Sequence, residues 1–140
     1  MRQINGCKLL QIFFELLEIL NESKKTTISS EKKLNSNLLL AIRYINDNIC
    51  HQFSINELAK VSNISISTLE RNFWNFLGMP PSEYIKQRRL GTAMEALNNG
   101  KSVTEACFNS GFSDCSKFIS LFKENFGMTP LKYKKKFSLQ

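Results

Sequence analysis

The chain has 140 residues, 42% of them apolar, enough for one or two modest cores and too few for three domains. Lys and Arg outnumber Asp and Glu by 19 to 12, and the resulting charge of +7 favours a polyanionic partner whose condensed counterions the side chains displace. Cys7, Cys50, Cys107 and Cys115 form no CxxC pair and have only His51 as an imidazole, so no metal or cofactor is expected and the thiols read as small core residues of a reducing compartment.

Residues 1–22 carry Leu9, Leu10, Ile12, Phe13, Phe14, Leu16, Leu17, Ile19 and Leu20, which cover most of a helix circumference and call for partners on more than one side. The run is too short to span a bilayer, Glu15 and Glu18 interrupt it, and no cleavable signal precedes it, so a soluble, cytoplasmic protein is expected. Residues 23–37, rich in Ser, Lys and Thr, read as a linker. From Leu38 onward the apolar periodicity is helical and no stretch alternates for long, which predicts an all-α domain over residues 38–136.

Within that domain, Ser54-Ile-Asn-Glu57 and Ser102-Val-Thr-Glu105 are both capping boxes and mark two helix starts. They belong to an internal repeat. Ser54, Ile55, Glu57, Ser62 and Ser65 recur 48 residues later as Ser102, Val103, Glu105, Ser110 and Ser113. After one inserted residue, Phe73, Gly78, Met79, Pro81 and Tyr84 recur 49 residues later as Phe122, Gly127, Met128, Pro130 and Tyr133. Each unit reads as a short capped helix, a turn, a longer helix and a glycine stop, the helix-turn-helix layout, with the first unit at 54–77 and the second at 102–126. Asn63 and Gly111 tolerate the positive φ that such turns require, and Gly78 and Gly127 stand where left-handed C-caps belong. Between the units, 81–98 reads as one long connector helix with proline at its start and Asn98-Asn99-Gly100 as its stop. A basic tail containing Lys132, Lys134, Lys135 and Lys136 follows Pro130.

The predicted burial pattern fixes which faces are left outward. Leu69, Phe73 and Phe76 in the first unit, and Phe118, Phe122 and Phe126 in the second, fall at helical spacing and are expected in the core. The opposite faces then carry Ser67, Thr68, Glu70, Arg71 and Asn75 in the first unit, and Cys115, Ser116, Lys117, Ser120 and Lys123 in the second. Helix N-termini at Ser65 and Ser113, with Lys132 and Lys134, are candidate phosphate contacts. If the longer helices enter successive major grooves on one face of a duplex, they should lie roughly 34 Å apart.

The stretch Gly111-Phe-Ser-Asp-Cys-Ser-Lys-Phe118, continuing through Phe122-Lys-Glu-Asn-Phe-Gly-Met-Thr-Pro130 to Tyr133, resembles the second-unit signature of the AraC/XylS transcription regulators. The first unit is similar through Leu58-Ala59, Ser65, Leu69, Arg71, Phe73, Gly78, Pro81 and Tyr84, and the connector through Arg89, Leu90, Ala93 and Leu97. The resemblance implies a seven-helix tandem helix-turn-helix domain, a bacterial transcription regulator, activator or repressor, in function, with double-stranded DNA and RNA polymerase as partners. It places base-reading positions on Ser67, Glu70 and Arg71, and on Cys115, Ser116 and Ser120. Arg71 can engage both acceptors of a guanine, whereas Ser120 is too short for a bidentate contact. The expected halves are therefore unequal: a reader followed by an anchor. By the same resemblance, residues 1–22 look like the remnant of a sensor or dimerisation domain, suited to a homodimer contact, with any effector bound outside this chain.

An enzymatic reading finds no support in these residues, since no cysteine-zinc cluster and no Ser/His/Asp or Cys/His arrangement is present. The alternative that remains is a protein-interaction module derived from a DNA-binding domain.

Overall fold

The computed structural model describes residues 31–137, with side chains from Ser36 onward, so the apolar helix expected over 1–22 lies outside the described residues. The described residues are all-α: α1 (Glu31–Asp47), α2 (Ile55–Val61), α3 (Ile66–Leu77), α4 (Pro81–Asn98), α5 (Val103–Asn109), α6 (Cys115–Phe126) and α7 (Pro130–Phe137). They form two compact units. The first holds α1 and Phe53–Tyr84; the second holds Asn48–Gln52 and the chain from Ile85 on.

α1 corrects the linker boundary, because the helix already includes Glu31–Asn37. Glu, Lys and Leu in that stretch are good helix formers. Further along, Leu38, Ala41, Ile42 and Ile45 supply a buried i, i+3, i+4, i+7 stripe.

In the first unit that stripe shares a core with Leu58 and Ala59 of α2, Leu69 and Phe73 of α3, and Tyr84 at the start of α4. Phe73 and Tyr84 meet edge to face at 5.5 Å, the geometry aromatic quadrupoles prefer. Asn72 is buried in the same unit with its Nδ2 unmatched by an acceptor. In the second unit the equivalent position, 49 residues on, is Leu121.

The core of the second unit is more aromatic. Leu90, Ala93 and Leu97 of α4 pack with Ala106 and Cys107 of α5 and with Phe118 and Phe122 of α6. Phe122 meets Phe126 at 4.4 Å and Tyr133 of α7 at 5.5 Å. That contact explains why the basic segment after Pro130 is helical rather than a solvated tail: Tyr133 and Pro130 turn one face of α7 onto the core and leave Lys132, Lys135 and Lys136 outside.

The local devices recur in both units. Ser54 and Ser102 close their capping boxes with Glu57 and Glu105. In each α2 or α5 C-cap, a buried serine hydroxyl, Ser62 or Ser110, donates to the carbonyl four residues back, Leu58 or Ala106. Asn63 and Gly111 both have positive φ, 58° and 89°, and Gly78 and Gly127 are left-handed caps.

The capping boxes carry a pH dependence. Hydrogen bonds from the Ser54 and Ser102 backbone N–H groups, then their hydroxyls, hold Glu57 and Glu105 below the ordinary glutamate value. A carboxylate with a lowered folded-state pKa contributes stability above its unfolded pKa and loses it as pH falls through the folded value. Thermal melts in acid should therefore show a loss of midpoint below about pH 4.5, and the loss should be shallower in Glu105→Gln, whose amide does not titrate. Equal acid slopes for the two proteins would exclude this source.

Candidate nucleic-acid interface

Each longer helix of a helix-turn-helix unit has one face in a core and one in solvent, and the solvent face is the candidate interface. On α3, burial of Leu69 and Phe73 leaves Ser67, Glu70, Arg71 and Asn75 exposed. Ser65 caps the helix by accepting from the Thr68 N–H at 3.2 Å, and its hydroxyl also meets the Thr68 hydroxyl at 2.9 Å. Thr68 is therefore half-buried and engaged at the cap. The remaining first-turn N–H groups and the helix dipole favour an anion there.

Sequence reasoning missed Trp74, which is 56% exposed and lies three residues beyond Arg71, in line with Ser67 at i+7. Its signal was available, because the phase that buries Phe73 turns residue 74 away from the core. Phe76 is also a correction: it is exposed, while Leu77 takes the half-buried place. By the 49-residue offset, Phe126 corresponds to Leu77 rather than to Phe76, so pairing the phenylalanines by type gave the wrong phase.

On α6, Ser116, Lys117, Ser120 and Lys123 are exposed, opposite the buried Phe118 and Phe122. Ser120 donates its hydroxyl to the Ser116 carbonyl at 3.2 Å, within its own helix, which shortens its reach further. Cys115 departs from the expected outward face. It is half-buried, with its Sγ 2.8 Å from the Sγ of buried Cys107. A small apolar thiol at the first helical position gains more by covering the core than by facing water.

The turn corrects one further expectation. The N-cap of α6 is Asp114, which accepts from the Lys117 N–H at 3.1 Å; Ser113 is exposed one residue ahead of it. The inserted residue of the repeat therefore falls at 113, so Asp114, not Ser113, corresponds to Ser65. A carboxylate suits the positive end of a helix, and it occupies the place where a phosphate would otherwise be drawn. Asp114→Asn keeps a strong cap and removes the charge. This variant should bind any duplex more tightly by about 2- to 5-fold at low salt, with the gain fading as salt rises; a gain confined to one sequence, or none, would contradict it.

Of the tail lysines, Lys132 is exposed, whereas Lys134 is half-buried and its charge adds to the lowering of the Glu105 pKa, after the Ser102 hydrogen bonds. Among the described residues no group of three or more His, Cys, Asp or Glu could hold a metal, and no helix is long and apolar enough to cross a membrane.

A family model described as a helix-turn-helix domain matches residues 58–136, from α2 into α7. Among curated proteins the chain is similar to the HTH-type transcriptional activator RhaS of Klebsiella pneumoniae (strain 342), 29% identical over 120 residues, which cover 85% of this chain and 42% of the relative. The chain thus spans less than half the length of the curated relatives it matches. Among solved structures, a transcriptional regulator with an AraC-type DNA-binding domain from Chromobacterium violaceum matches with a TM-score of 0.69 at 29% identity, over 74% of this chain and 93% of that one. The DNA-binding domain of AdpA, solved in complex with a target DNA, matches with a TM-score of 0.69 over 73% of this chain and 93% of that one. At 22% identity, this last likeness is one of fold.

Proposed function

This chain belongs to the AraC/XylS family of helix-turn-helix proteins, and from that membership we infer that it is a sequence-specific DNA-binding transcription regulator, an activator by its similarity to RhaS. The observation that carries the reading is local. In both units the helix after the turn buries Leu69 and Phe73, or Phe118 and Phe122, and leaves a polar, partly cationic face to solvent.

In this reading α3 and α6 each enter a major groove. Arg71 reads a guanine, with Ser67, Glu70 and Asn75 at neighbouring edges. On α6, Ser116 and Ser120 lie against the groove as short contacts, and Lys117 and Lys123 neutralise phosphates. Lys132, Lys134, the N-terminus at Ser65, and Ser113 in the turn complete the backbone contacts. RNA polymerase is the partner through which binding becomes activation. A homodimer forms through residues 1–22, effector binding lies outside the helix-turn-helix units, and the site of action is the cytoplasm. The family is one of regulators rather than enzymes.

Trp74 is the only tryptophan and lies exposed on α3, so its emission reports engagement directly. Titration with duplex fragments of the source genome should change that emission saturably. The affinity should differ between sequences, and log K should fall linearly with log salt, by about 0.9 for each phosphate contacted. Affinity indifferent to sequence, or to salt, would overturn the proposal. A second reading, a protein-interaction module, draws on the exposed apolar side chains Trp74 and Phe76 of the first unit and Phe108 of the second. It predicts partner capture that Arg71→Ala leaves intact.

A further inference from the structure

Cys107 and Cys115 lie eight residues apart, at the two sides of the turn that defines the second helix-turn-helix unit. Their Sγ atoms are 2.8 Å apart. Cys107 is fully buried in the aromatic core on α5, while Cys115, at the first position of α6, is half-open to solvent. Both are free thiols. A packing role alone does not require two thiols facing each other.

We propose that Cys107 and Cys115 are a peroxide-reactive dithiol that closes into an intramolecular disulfide across the turn of the second unit, with Cys115 as the attacking thiol and Cys107 as the resolving one. In the first step the Cys115 thiolate attacks a hydroperoxide oxygen; the O–O bond breaks, the sulfur becomes a sulfenic acid, and water leaves once the departing hydroxide takes a proton. In the second, the Cys107 sulfur attacks the Cys115 sulfenic sulfur, the S–O bond breaks, and a second water carries off the hydroxyl and the Cys107 proton. The sum is two thiols and one hydrogen peroxide to one disulfide and two waters.

The order of attack follows from access. Burial first, then the hydrogen bond with Cys115, holds the Cys107 thiol well above its ordinary pKa, so the exposed partner meets the oxidant. Once Cys115 is oxidised, its neighbour is already in contact and competes with further peroxide. The device protects the interface, and this step rests on the DNA-binding reading. A sulfinic or sulfonic acid at Cys115 would add negative charge beside Asp114, at the helix end that faces phosphates. A disulfide adds none.

The chemistry can be tested without DNA. No Lys or Arg lies between Lys101 and Lys117, so trypsin releases Ser102–Lys117 with both cysteines in one peptide. The full chain, treated with equimolar hydrogen peroxide, then alkylated and digested, should yield that peptide about 2 Da lighter and unalkylated, and dithiothreitol should restore two alkylatable thiols. In Cys107→Ser a several-fold molar excess of peroxide should leave two or three oxygens on Cys115, each oxygen consuming one peroxide, whereas the wild-type chain at the same excess should stop at the disulfide. After peroxide, this variant should lose at least about 10-fold more duplex affinity than the wild-type chain. Wild-type thiols that stay alkylatable, oxygens on Cys115 with Cys107 intact, or a bridge to Cys50 or to a second chain would each overturn the dithiol. If the disulfide forms but neither protein binds duplex at any stage, the DNA-binding reading fails and the dithiol stands.

Discussion

Arg71→Ala is expected to weaken binding to a cognate duplex by roughly 10- to 100-fold, about 1–3 kcal/mol, and to relax the preference at a single base pair. The residue is exposed on α3, one position after Glu70 and two before the buried Phe73, which fixes the phase of the helix. A guanidinium presents paired donors that match the two major-groove acceptors of guanine, and no other exposed side chain on α3 or α6 offers that fork. Ser120→Ala, on α6, should change affinity by no more than about 2-fold, because its hydroxyl already bonds the Ser116 carbonyl. Lys117→Ala should weaken all sequences alike and lower the salt slope by about 1. The discriminating measurement is a titration of each variant against a panel of single-base changes in a selected site. If Arg71→Ala loses affinity equally across the panel, Arg71 is a phosphate contact and the first unit is not the reader.

How far the sequence carried these conclusions differs by residue. The helix ends were legible because their devices are local: two capping boxes, two glycine caps and two positive-φ turn residues are each written within four or five positions. The aromatic ladder of α6 was legible because its period is short. The register of the repeat across the turn was less so, since Ser113 matches Ser65 by type, and only the hydrogen bond from Lys117 N–H to Asp114 shows which residue is the cap. Cys115 was read outward because helical phase alone does not show that a neighbouring thiol on α5 awaits it. The segment Asn48–Gln52 left no signal at all. It carries no periodicity, and its place depends on the Arg89 side chain and on the carbonyls of Asn109 and Gly111, 38 to 59 positions further along the chain.

That segment leads to the largest stability effect expected in the molecule. Arg89 on α4 donates to the carbonyls of Ile49 and His51 at 3.3 and 2.9 Å, Gln52 donates to the Gly111 carbonyl at 2.6 Å, and the Cys50 thiol donates to the Asn109 carbonyl at 2.6 Å. The backbone of residues 49–52 thus lies directly on the turn of the second unit. Gly111 is where the two strands of chain meet. Its φ is +89°, and a Cβ built there would overlap the Ile49 carbonyl and crowd the Arg89 side chain. Gly111→Ala therefore combines the left-handed penalty of about 1–2 kcal/mol with displacement of a backbone segment and its hydrogen bonds. A loss of about 3–5 kcal/mol is expected, a large share of the total stability of a domain this size. Gly127→Ala is the control, since that glycine has φ +75° but open space around it, and its cost should stop near the left-handed penalty of about 1–2 kcal/mol. Asn63, the counterpart of Gly111 in the first unit, adopts φ +58° with a side chain in place, so the turn itself does not demand glycine. The demand comes from the approach of Ile49. Urea denaturation of the two variants separates the contributions: equal losses for Gly111→Ala and Gly127→Ala would mean that the approach of residues 49–52 adds nothing, and that φ alone selects the glycine.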